Sequence, residues 1–400
     1  MINPLDHSQS INELPEPDGQ AKSHSERLIS LIKAECDHNG GAISFGRYMA
    51  LALYEPESGY YAAGLQKFGE AGDFITAPEI SPLFSRCVAR QCAQVLPLLD
   101  NPVILEIGAG SGVMATDILL ELESLNQLPD RYLILEISTY LRQKQKEVIE
   151  SKAAHLFDRV EWLNALPDKP IQAVVLANEV LDAMPVESFQ TTDDGVKQLF
   201  VEVVEDGVNA IYKDAESSVS DAVNTIEQRA EMKFELQYQS EFNPTLDAWI
   251  ASVADCLEKG IVLLIDYGYP VSEYYHPQRH MGTLICHYQH RAHADPFWYP
   301  GLQDITAFVD FSAVAYAAVD AGLEVRGYTT QAAFLMASGI AQLHQEAVTD
   351  EVSSQINLSQ QIKTLTLPSE MGERFKVMAL GKNIDEPLQG FLIQDFRSRL

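Results

Sequence analysis

The chain has 400 residues, of which 46% are hydrophobic and 21% are charged, a composition typical of a folded globular protein and not of a disordered or fibrous one. At roughly 100–200 residues per domain, this length predicts two or three structural units, or one large α/β domain with insertions. The 28 basic and 57 acidic residues give a net charge of −29, and no local basic patch is present. The repulsion of phosphate backbones by such a surface excludes nucleic acid as the expected partner.

The N-terminal sequence and the spacing of the cysteines bear on the cellular compartment of the protein. Residues 1–25 are polar and proline-containing, which predicts a flexible leader without the pattern of a secretory signal. The five cysteines form no C-x-x-C pair, which indicates reduced thiols and neither a disulfide framework nor a cysteine zinc site. The longest apolar runs, such as 261–265, are too short to span a bilayer. We therefore expect a soluble cytoplasmic protein without a membrane span.

The N-terminal part of the chain has helical spacing of its apolar residues. A helical pattern extends over 26–53 and is broken at 39–41, and Ser44 is the predicted N-cap of the second helix. A glycine-rich loop follows at 54–78, which is too long for a simple connector. A further helix is predicted at 81–98.

Five short apolar runs then alternate with helical segments. The predicted strands are 103–107, 131–137, 160–163, 173–177 and 261–266, and helices are predicted at 113–125 and 140–152. Continuous apolar strands separated by helices are typical of a parallel sheet that is covered on both faces. The sequence therefore predicts an α/β protein with a Rossmann-like doubly wound sheet.

More than eighty residues separate the fourth strand from the fifth, where a plain doubly wound fold needs one helix. Within them, 187–190, 198–204 and 208–212 alternate like antiparallel strands, and 214–232 and 243–258 have helical patterns. We predict a hairpin-plus-helical insertion over the ligand edge of the sheet. The predicted divisions are a leader (1–25), N-terminal helices with the glycine-rich loop (26–100), the Rossmann-like core (101–186), the insertion (187–258) and the remainder of the catalytic domain (259–400).

The strongest local motif is the segment EIGAGSG, which runs from Glu106 to Gly112 between a predicted strand and a predicted helix. Its glycines, Gly108, Gly110 and Gly112, allow a tight turn and a close approach to a ligand. A dinucleotide-binding fingerprint requires a further glycine where this chain has Val113. The observed spacing is instead similar to the first motif of class I S-adenosylmethionine methyltransferases. The alternative is a tight strand-to-helix turn that binds no ligand.

A second candidate is the acid that ends the neighbouring strand. Glu136 lies 28 residues beyond Gly108, and a carboxylate there can accept hydrogen bonds from both hydroxyls of a ribose. The alternative is a solvated glutamate at a strand end. The loop at 126–130 and the long preceding helix explain why the separation exceeds the ~20 residues typical of dinucleotide sites.

A third group follows the fourth predicted strand. Asn178 and Glu179 come directly after it, and Asp182 and Glu187 lie a little further on. Carboxylates at the carboxyl end of a central strand can hold a guanidinium group through bidentate hydrogen bonds. The alternative is that Glu179 only caps the next turn. The segment that begins at Asp266 is a weaker candidate for the same cleft.

Two further segments contain residues that could form a site. The run at 72–81 can be a helix entry capped by Thr76 or Ser81, or part of a pocket. His287, His290 and His293 have a spacing that could place them on one helical face, but the segment has little helical pattern and no H-E-x-x-H motif. We therefore predict no metal site.

Several stretches together resemble the MidA-type family, the bacterial and mitochondrial relatives of the protein arginine methyltransferase that assembles respiratory complex I. The family has a Rossmann-like methyltransferase fold with a helical insertion. The segments that carry the resemblance are GDFITAPEIS (72–81), LEIGAGSG (105–112), ANEVLDAMPVESF (177–189), IDYGYP (265–270), PGLQDITAFVDF (300–311) and LPSEMGERFKVMAL (367–380).

The resemblance implies roles for particular residues in an S-adenosyl-L-methionine site, in catalysis and in the wall of the pocket. The cofactor residues are Glu106, Gly108, Gly110, Gly112 and Glu136, the catalytic residues are Asn178, Glu179 and Asp182, and the wall residues are Gly72, Asp73, Thr76, Pro78 and Glu79. One departure is Phe308, because many members have histidine at that position.

The activity that the resemblance implies is methyl transfer from S-adenosyl-L-methionine to an arginine of a protein acceptor, such as a respiratory complex subunit. Two alternatives stay open. A methyltransferase that acts on a small molecule has the same cofactor loop. A non-catalytic, cofactor-binding assembly protein keeps the fold without the chemistry. An NAD-dependent oxidoreductase is opposed by Val113.

Overall fold

The computed structural model describes residues 14–61, 75–205 and 207–400. They divide into two compact units. The first unit contains the described residues up to 61 together with 182–245 and 269–310, and the second unit contains 75–181, 246–268 and 311–400.

The helices alternate with strands along most of the described chain. They are α1 (Gly19–His38), α2 (Phe45–Tyr54), α3 (Ala77–Ile80), α4 (Pro82–Val95), α5 (Val113–Ser124), α6 (Thr139–Ala153), α7 (Ser217–Arg229), α8 (Leu246–Cys256), α9 (Val271–Tyr274), α10 (Phe311–Asp320), α11 (Gln331–Ala337), α12 (Ile340–Ala347), α13 (Val352–Thr366) and α14 (Met371–Arg374). Short 3₁₀ turns lie at Leu96–Leu98, Ala154–Arg159, Pro277–Arg279, Gln389–Phe391 and Arg397–Arg399.

The strands belong to three sheets. They are β1 (Ile43–Ser44), β2 (Val103–Ile107), β3 (Arg131–Leu135), β4 (Val160–Leu163), β5 (Ile171–Asn178), β6 (Glu187–Thr192), β7 (Gly195–Val204), β8 (Gly207–Asp214), β9 (Gln239–Phe242), β10 (Leu257–Tyr269), β11 (Ile285–Tyr288), β12 (Arg291–His293), β13 (Asp304–Thr306), β14 (Val309–Asp310), β15 (Glu324–Thr330) and β16 (Phe375–Lys382).

Seven strands of the second unit form a sheet in the order β15-β16-β10-β5-β2-β3-β4. The five strands from β10 to β4 are parallel, as the sequence predicts, and all five residues of β2 are buried. The sheet ends in two antiparallel pairings, β10 with β16 and β16 with β15, which the local sequence pattern does not predict. The predicted Rossmann-like α/β class is confirmed.

The core of the second unit lies on the sheet and beneath its helices. Val88 of α4, Ile118 of α5 and Phe334 of α11 have no exposed surface, and they belong to the same apolar cluster as Ile104 of the central strand. Burying each such side chain stabilises the fold by about 1.5–3 kcal/mol. This packing fixes the carboxyl ends of β2, β3 and β5 at one edge, where α/β proteins bind ligands.

The first unit contains two smaller sheets. One has the order β1-β7-β6-β9, with β8 paired to β7, and the other has the order β12-β11-β13. The pairs Ile43↔Val201 and Ser44↔Phe200 join the N-terminal segment to the insertion. The predicted division separated these two segments, whereas the structure groups them. Strand pairing between distant segments is the reason, because it is invisible in local patterns.

Several predicted boundaries differ from the observed ones. Helix α1 begins at Gly19 and not at 26, because the side chain of Asp18 caps it by accepting the N–H of Ala21. Residues 19–25 are therefore helical and not part of a leader, and residues 1–13 lie outside the described part of the chain. Ser44 is confirmed as the N-cap of α2. Helix α8, predicted as part of the insertion, lies in the second unit.

All five cysteines are buried and free. Burial raises the pKa of Cys87 to about 12 and the pKa of Cys256 to about 11. These thiols therefore stay protonated at neutral pH. Across residues 14–61, 75–205 and 207–400, no helix combines the length and apolarity that a bilayer crossing requires.

Candidate functional site

The turn between β2 and α5 has an unusual backbone. Its three glycines have positive φ angles, +70° at Gly108, +51° at Gly110 and +84° at Gly112. Residues with a Cβ rarely adopt this left-handed region, so the turn requires glycine. The N–H of Gly108 donates to the carbonyl of Leu135 at 3.0 Å, which ties the turn to the end of β3.

At two of these glycines, other residues of the protein lie close to the position that a Cβ would occupy. A Cβ at Gly112 would lie 2.9 Å from the Cα of Gln145 in α6. A Cβ at Gly108 would lie 3.1 Å from the Cγ2 of Val180. The predicted tight turn is therefore present, and at Gly112 close packing against α6 within the second unit is a further reason for glycine.

Glu136 directly follows β3, and β3 is the parallel neighbour of β2. Its side chain is only 7% exposed, and burial raises the pKa of its carboxyl group. Oε1 accepts the N–H of Ser138 at 2.9 Å, and Oε2 accepts an N–H from Nε2 of Gln145 at 3.1 Å. A carboxylate has about four lone-pair sites, so these two donors orient the group and leave capacity for ligand hydroxyls.

Glu106 lies inside the sheet, with 1% of its surface exposed. The hydroxyl of Tyr132 donates to its Oε2 at 2.6 Å. Burial raises the pKa of Glu106 to about 7, and the charge of Glu136 acts in the same direction. The structure therefore gives Glu106 a partner on the neighbouring strand, and its predicted contact with a cofactor stays a prediction.

The segment before α4 reaches the glycine turn. The hydroxyl of Ser111 in that turn donates to Oε1 of Glu79 in α3. Thr76 is the N-cap residue of α3 but makes no side-chain capping bond, and Pro78 is buried in its first turn. Of the predicted wall residues, Gly72 and Asp73 lie outside the described residues.

The end of β5 carries the next pair of candidates. Glu179 has a positive φ of +52°, which is rare for a residue other than glycine, and its N–H donates to the carbonyl of Ile265 at 2.9 Å. Nδ2 of Asn178 donates to Oε1 of Glu179 at 3.2 Å. Oδ1 of Asn178 is buried and has no hydrogen-bond partner among the described residues. This edge therefore combines a strained backbone with an unsatisfied acceptor.

Asp266 fixes the turn that follows Glu179. It is 1% exposed, its Oδ2 accepts the N–H of Leu181 at 3.1 Å, and its Oδ1 accepts the N–H of Tyr267 at 2.9 Å. From its place in the sequence, Asp266 is a weaker candidate for lining the cleft. The geometry gives it a different role, which is to hold the backbone on which Glu179 lies.

Asp182 and Glu187 belong to the first unit. Asp182 is 5% exposed, and its carbonyl accepts the N–H of Ala307 at 2.9 Å. Glu187 accepts hydrogen bonds from Ser44 at 2.5 Å and from Gln198 at 3.1 Å. Since both oxygens of Glu187 are engaged, a guanidinium would have to compete with these donors. Asn178 and Glu179 therefore lie in the second unit, whereas Asp182 lies in the first unit.

The three histidines lie on a β-hairpin and not on a helix. His287 is in β11, His293 is in β12, and His290 is in the turn between them. Burial lowers the pKa of His287 to about 4 and also lowers that of His293. Among the described residues, no group of three or more His, Cys, Asp or Glu side chains could hold a metal ion.

Phe308, the position at which the chain departs from the resemblance, is part of an aromatic cluster in the first unit. Its ring stacks on that of Tyr269 with the centroids 5.7 Å apart, and its N–H donates to Oγ1 of Thr283 at 3.0 Å. The phenyl ring therefore packs well where a histidine would add a polar group.

The carboxyl edge of β2 and β3 suits an adenosyl ligand. It offers a side-chain-free turn in left-handed backbone and, on the adjacent strand, an oriented acid with remaining acceptor capacity. A turn of this spacing in a sheet with this strand order is the cofactor edge of a Rossmann-like, S-adenosyl-L-methionine-dependent methyltransferase.

The comparison with family models identifies the group more closely. The model of the S-adenosyl-L-methionine-dependent methyltransferase family matches residues 87–329, so this chain belongs to that family. The resemblance to MidA-type proteins is confirmed, and so is the enzyme class.

Solved structures agree with this assignment. A crystal structure from Burkholderia thailandensis bound to S-adenosyl-homocysteine is 39% identical to this chain, covers 97% of it and 100% of that chain, and has a TM-score of 0.92. A native crystal structure from the same organism is 38% identical with the same coverage and a TM-score of 0.89. The cofactor of this chain is S-adenosyl-L-methionine, as predicted.

The curated relatives cover almost the whole chain. A protein of Drosophila melanogaster named protein arginine methyltransferase NDUFAF7 homolog, mitochondrial, is 28% identical over 95% of this chain and 92% of its own length. The protein arginine methyltransferase NDUFAF7, mitochondrial, of Danio rerio is 27% identical over 90% of this chain and 87% of its own length. These mitochondrial names contradict the expectation of a cytoplasmic protein, which was wrong because the absence of a recognisable signal pattern does not define a compartment.

Proposed function

We propose that this methyltransferase transfers the methyl group of S-adenosyl-L-methionine to an arginine of a protein acceptor. The observation that carries the proposal is the pair Asn178 and Glu179 at the end of β5, next to the glycine turn. There an oriented carboxylate lies beside a buried, unsatisfied amide oxygen, and both are acceptors suited to the N–H groups of a guanidinium. The names of the relatives from Drosophila melanogaster and Danio rerio support the same acceptor.

The proposed cofactor residues lie in the second unit. The backbone of Gly108, Gly110 and Gly112 contacts the adenosyl-methionine, and Glu136 accepts the ribose hydroxyls. Glu106, which accepts the hydroxyl of Tyr132, is the further cofactor residue that the family resemblance implies. Residues of the segment before α4, namely Gly72, Asp73, Thr76, Pro78 and Glu79, form the wall of the pocket in this proposal.

The chemistry requires alignment more than acid–base catalysis. The bound cofactor supplies an electrophilic methyl group on a sulfonium sulfur. Glu179, whose Oε1 is oriented by Asn178, accepts hydrogen bonds from the guanidinium, localises a lone pair on the attacking nitrogen and accepts the proton that this nitrogen loses. Asp266 keeps the backbone of this turn in place. Asp182 stays a candidate from the family resemblance.

The proposed partner is defined by the chemical group that it must offer. A protein with an accessible arginine, such as a respiratory complex subunit, matches both the resemblance and the charge. The net charge of −29 favours the approach of a basic acceptor, since opposite charges raise encounter rates.

The test is a methylation assay with the full chain and S-adenosyl-L-methionine that carries a labelled methyl group. The acceptors are two degenerate peptide libraries that differ only in a central arginine or a central lysine. We expect label in the arginine library alone, and methylarginine after acid hydrolysis. Label in the lysine library alone would contradict the proposal. Tight binding of S-adenosyl-homocysteine without any transfer to peptides or to intact arginine-bearing proteins would also contradict it.

A further inference from the structure

Gln145 is a buried polar residue that no motif in the sequence singles out. It lies in α6 and has no exposed surface. Its Nε2 donates to the carbonyl of Gly110 at 3.0 Å and to Oε2 of Glu136 at 3.1 Å, and its Oε1 accepts the indole N–H of Trp162 at 2.9 Å. Both N–H groups and the oxygen of the amide are therefore used.

This amide joins two segments that are far apart in the sequence. Gly110 belongs to the turn after β2, and Glu136 follows β3. The close approach of α6 to Gly112, where a Cβ would lie 2.9 Å from the Cα of Gln145, brings the amide within reach of both. The indole of Trp162 fixes the amide oxygen, so that the two N–H groups point at the turn and at the acid.

We infer that Gln145 is a positioning residue for the cofactor, which holds the Gly110 carbonyl and the Glu136 carboxylate in the relative geometry that an adenosyl ligand requires. It acts through these two residues and not by contact with the reacting atoms. The inference rests on the proposed cofactor roles of Gly110 and Glu136, and it is independent of the acceptor.

Two substitutions separate hydrogen bonding from packing. Gln145→Met keeps the length of the side chain and removes its N–H donors. Gln145→Glu keeps the shape, and because the position is buried beside the Glu136 carboxylate we expect the new carboxyl group to be protonated and to keep one O–H donor. If the residue only packed, neither variant would weaken cofactor binding. If its donors position the cofactor site, methionine is the more severe change and glutamate the milder one.

The experiment is isothermal titration of S-adenosyl-homocysteine into the full chain, at a temperature well below the unfolding midpoint of each variant. We expect Gln145→Met to raise the Kd about tenfold, as for the loss of a hydrogen bond to a charged group. Gln145→Glu, which keeps one donor, should raise the Kd less than Gln145→Met does. The matched control is Gln143→Met, which removes an exposed amide on the same helix and should leave the Kd within about twofold of the parent value.

A Kd for Gln145→Met within about twofold of the parent value would overturn the inference. Glu136→Gln, titrated in the same series, separates this failure from that of the cofactor site: if Glu136→Gln weakens binding and Gln145→Met does not, only the role of Gln145 is wrong. Trp162→Phe keeps the test possible if Gln145→Glu fails to fold, because it removes the donor to Oε1 and keeps an aromatic ring next to Phe157. We expect it to raise the Kd about threefold, and an unchanged Kd would argue against the inference.

Discussion

Two parts of the carboxyl edge of the sheet differ in how their polar groups are held, and we call the part at β2 and β3 the cofactor edge and the part after β5 the acceptor edge. At the cofactor edge, the carboxyl groups of Glu106 within β2 and of Glu136 after β3 accept hydrogen bonds from Tyr132, Ser138 and Gln145. At the acceptor edge, after β5, Oδ1 of Asn178 is buried without a hydrogen-bond partner among the described residues, and Glu179 has a strained backbone.

With the site residues proposed above, this difference separates the half of the reaction that the protein organises by itself from the half that the acceptor completes. A site whose acceptors are already oriented is ready for a ligand that is bound in every turnover. A buried acceptor without a protein donor is costly, and in the proposed function the guanidinium of the substrate supplies the missing donor to Asn178. We therefore interpret the cofactor edge as preorganised and the acceptor edge as completed by the substrate.

The largest expected effect is at the acceptor edge. Glu179→Gln replaces one carboxylate oxygen by an amide that cannot accept a proton or localise a guanidinium lone pair. We expect kcat for methyl transfer to an arginine peptide to fall about 100- to 1,000-fold, or roughly 3–4 kcal/mol, while the Kd for S-adenosyl-homocysteine stays unchanged.

Glu258→Gln, an exposed change on β10, is the matched control for charge and should retain the parent kcat. Full methylation by Glu179→Gln would contradict the proposed guanidinium clamp. A weaker Kd for S-adenosyl-homocysteine in the same variant would instead show that the two edges are not separable.

The second largest expected effect is a pH dependence of the free energy of unfolding that arises from Glu106. The pKa of Glu106 is raised by burial from an ordinary 4.5 to about 7, so the folded state binds a proton that the unfolded state releases between these values. The free energy of unfolding should therefore fall as the pH rises from about 5 to about 8, by up to about 3 kcal/mol from this group. Glu106→Gln keeps an acceptor for Tyr132 and removes this contribution.

Urea unfolding of the parent and the variant at both pH values measures the difference between them. Glu136 and Glu187 also have raised pKa values, so part of the slope persists in the variant and only the difference is assigned to Glu106. Glu150→Gln, an exposed change in α6, should keep the parent slope. An identical slope in Glu106→Gln would mean that Glu106 titrates normally in the folded protein.

The smallest expected effect concerns Ser138, the N-cap of α6, where a change in stability can be distinguished from a change in cofactor affinity. The hydroxyl of Ser138 caps α6 by accepting the N–H of Leu141 at 3.3 Å, and its own N–H donates to Glu136. Ser138→Ala should lower the free energy of unfolding by about 1 kcal/mol and should raise the Kd for S-adenosyl-homocysteine about twofold. Thr330→Ala removes an equivalent cap from α11 and should lower stability alone. Equal Kd values for the two variants would show that the cap of α6 does not orient Glu136.

Local patterns were sufficient for the parallel part of the sheet. The apolar runs of β2, β3 and β5 predict buried strands, and the glycine spacing predicts the cofactor turn with its backbone requirement. The antiparallel strands β15 and β16 were not identified, because pairing between segments fifty residues apart depends on packing and not on a local period. The same reason explains why β1 could not be assigned to the sheet of the insertion.

The sequence around Gln145 contains a pattern that indicates a buried amide. It lies between Leu141 and Ile149, four residues from each, and all three are buried on one face of α6. A glutamine within an apolar stripe at helical spacing indicates a buried amide with specific partners. Its partners, Gly110 and Glu136, could not be inferred from the sequence because they lie on two other elements.

The five buried cysteines make the folded chain inert toward alkylating reagents, because a protonated thiol without solvent access reacts slowly. Alkylation can then occur only through opening of the structure, so its rate reports that opening without any added label. A single cysteine introduced on the surface would conversely be the one reactive thiol of the native protein, available for attaching a fluorophore without removing any natural residue.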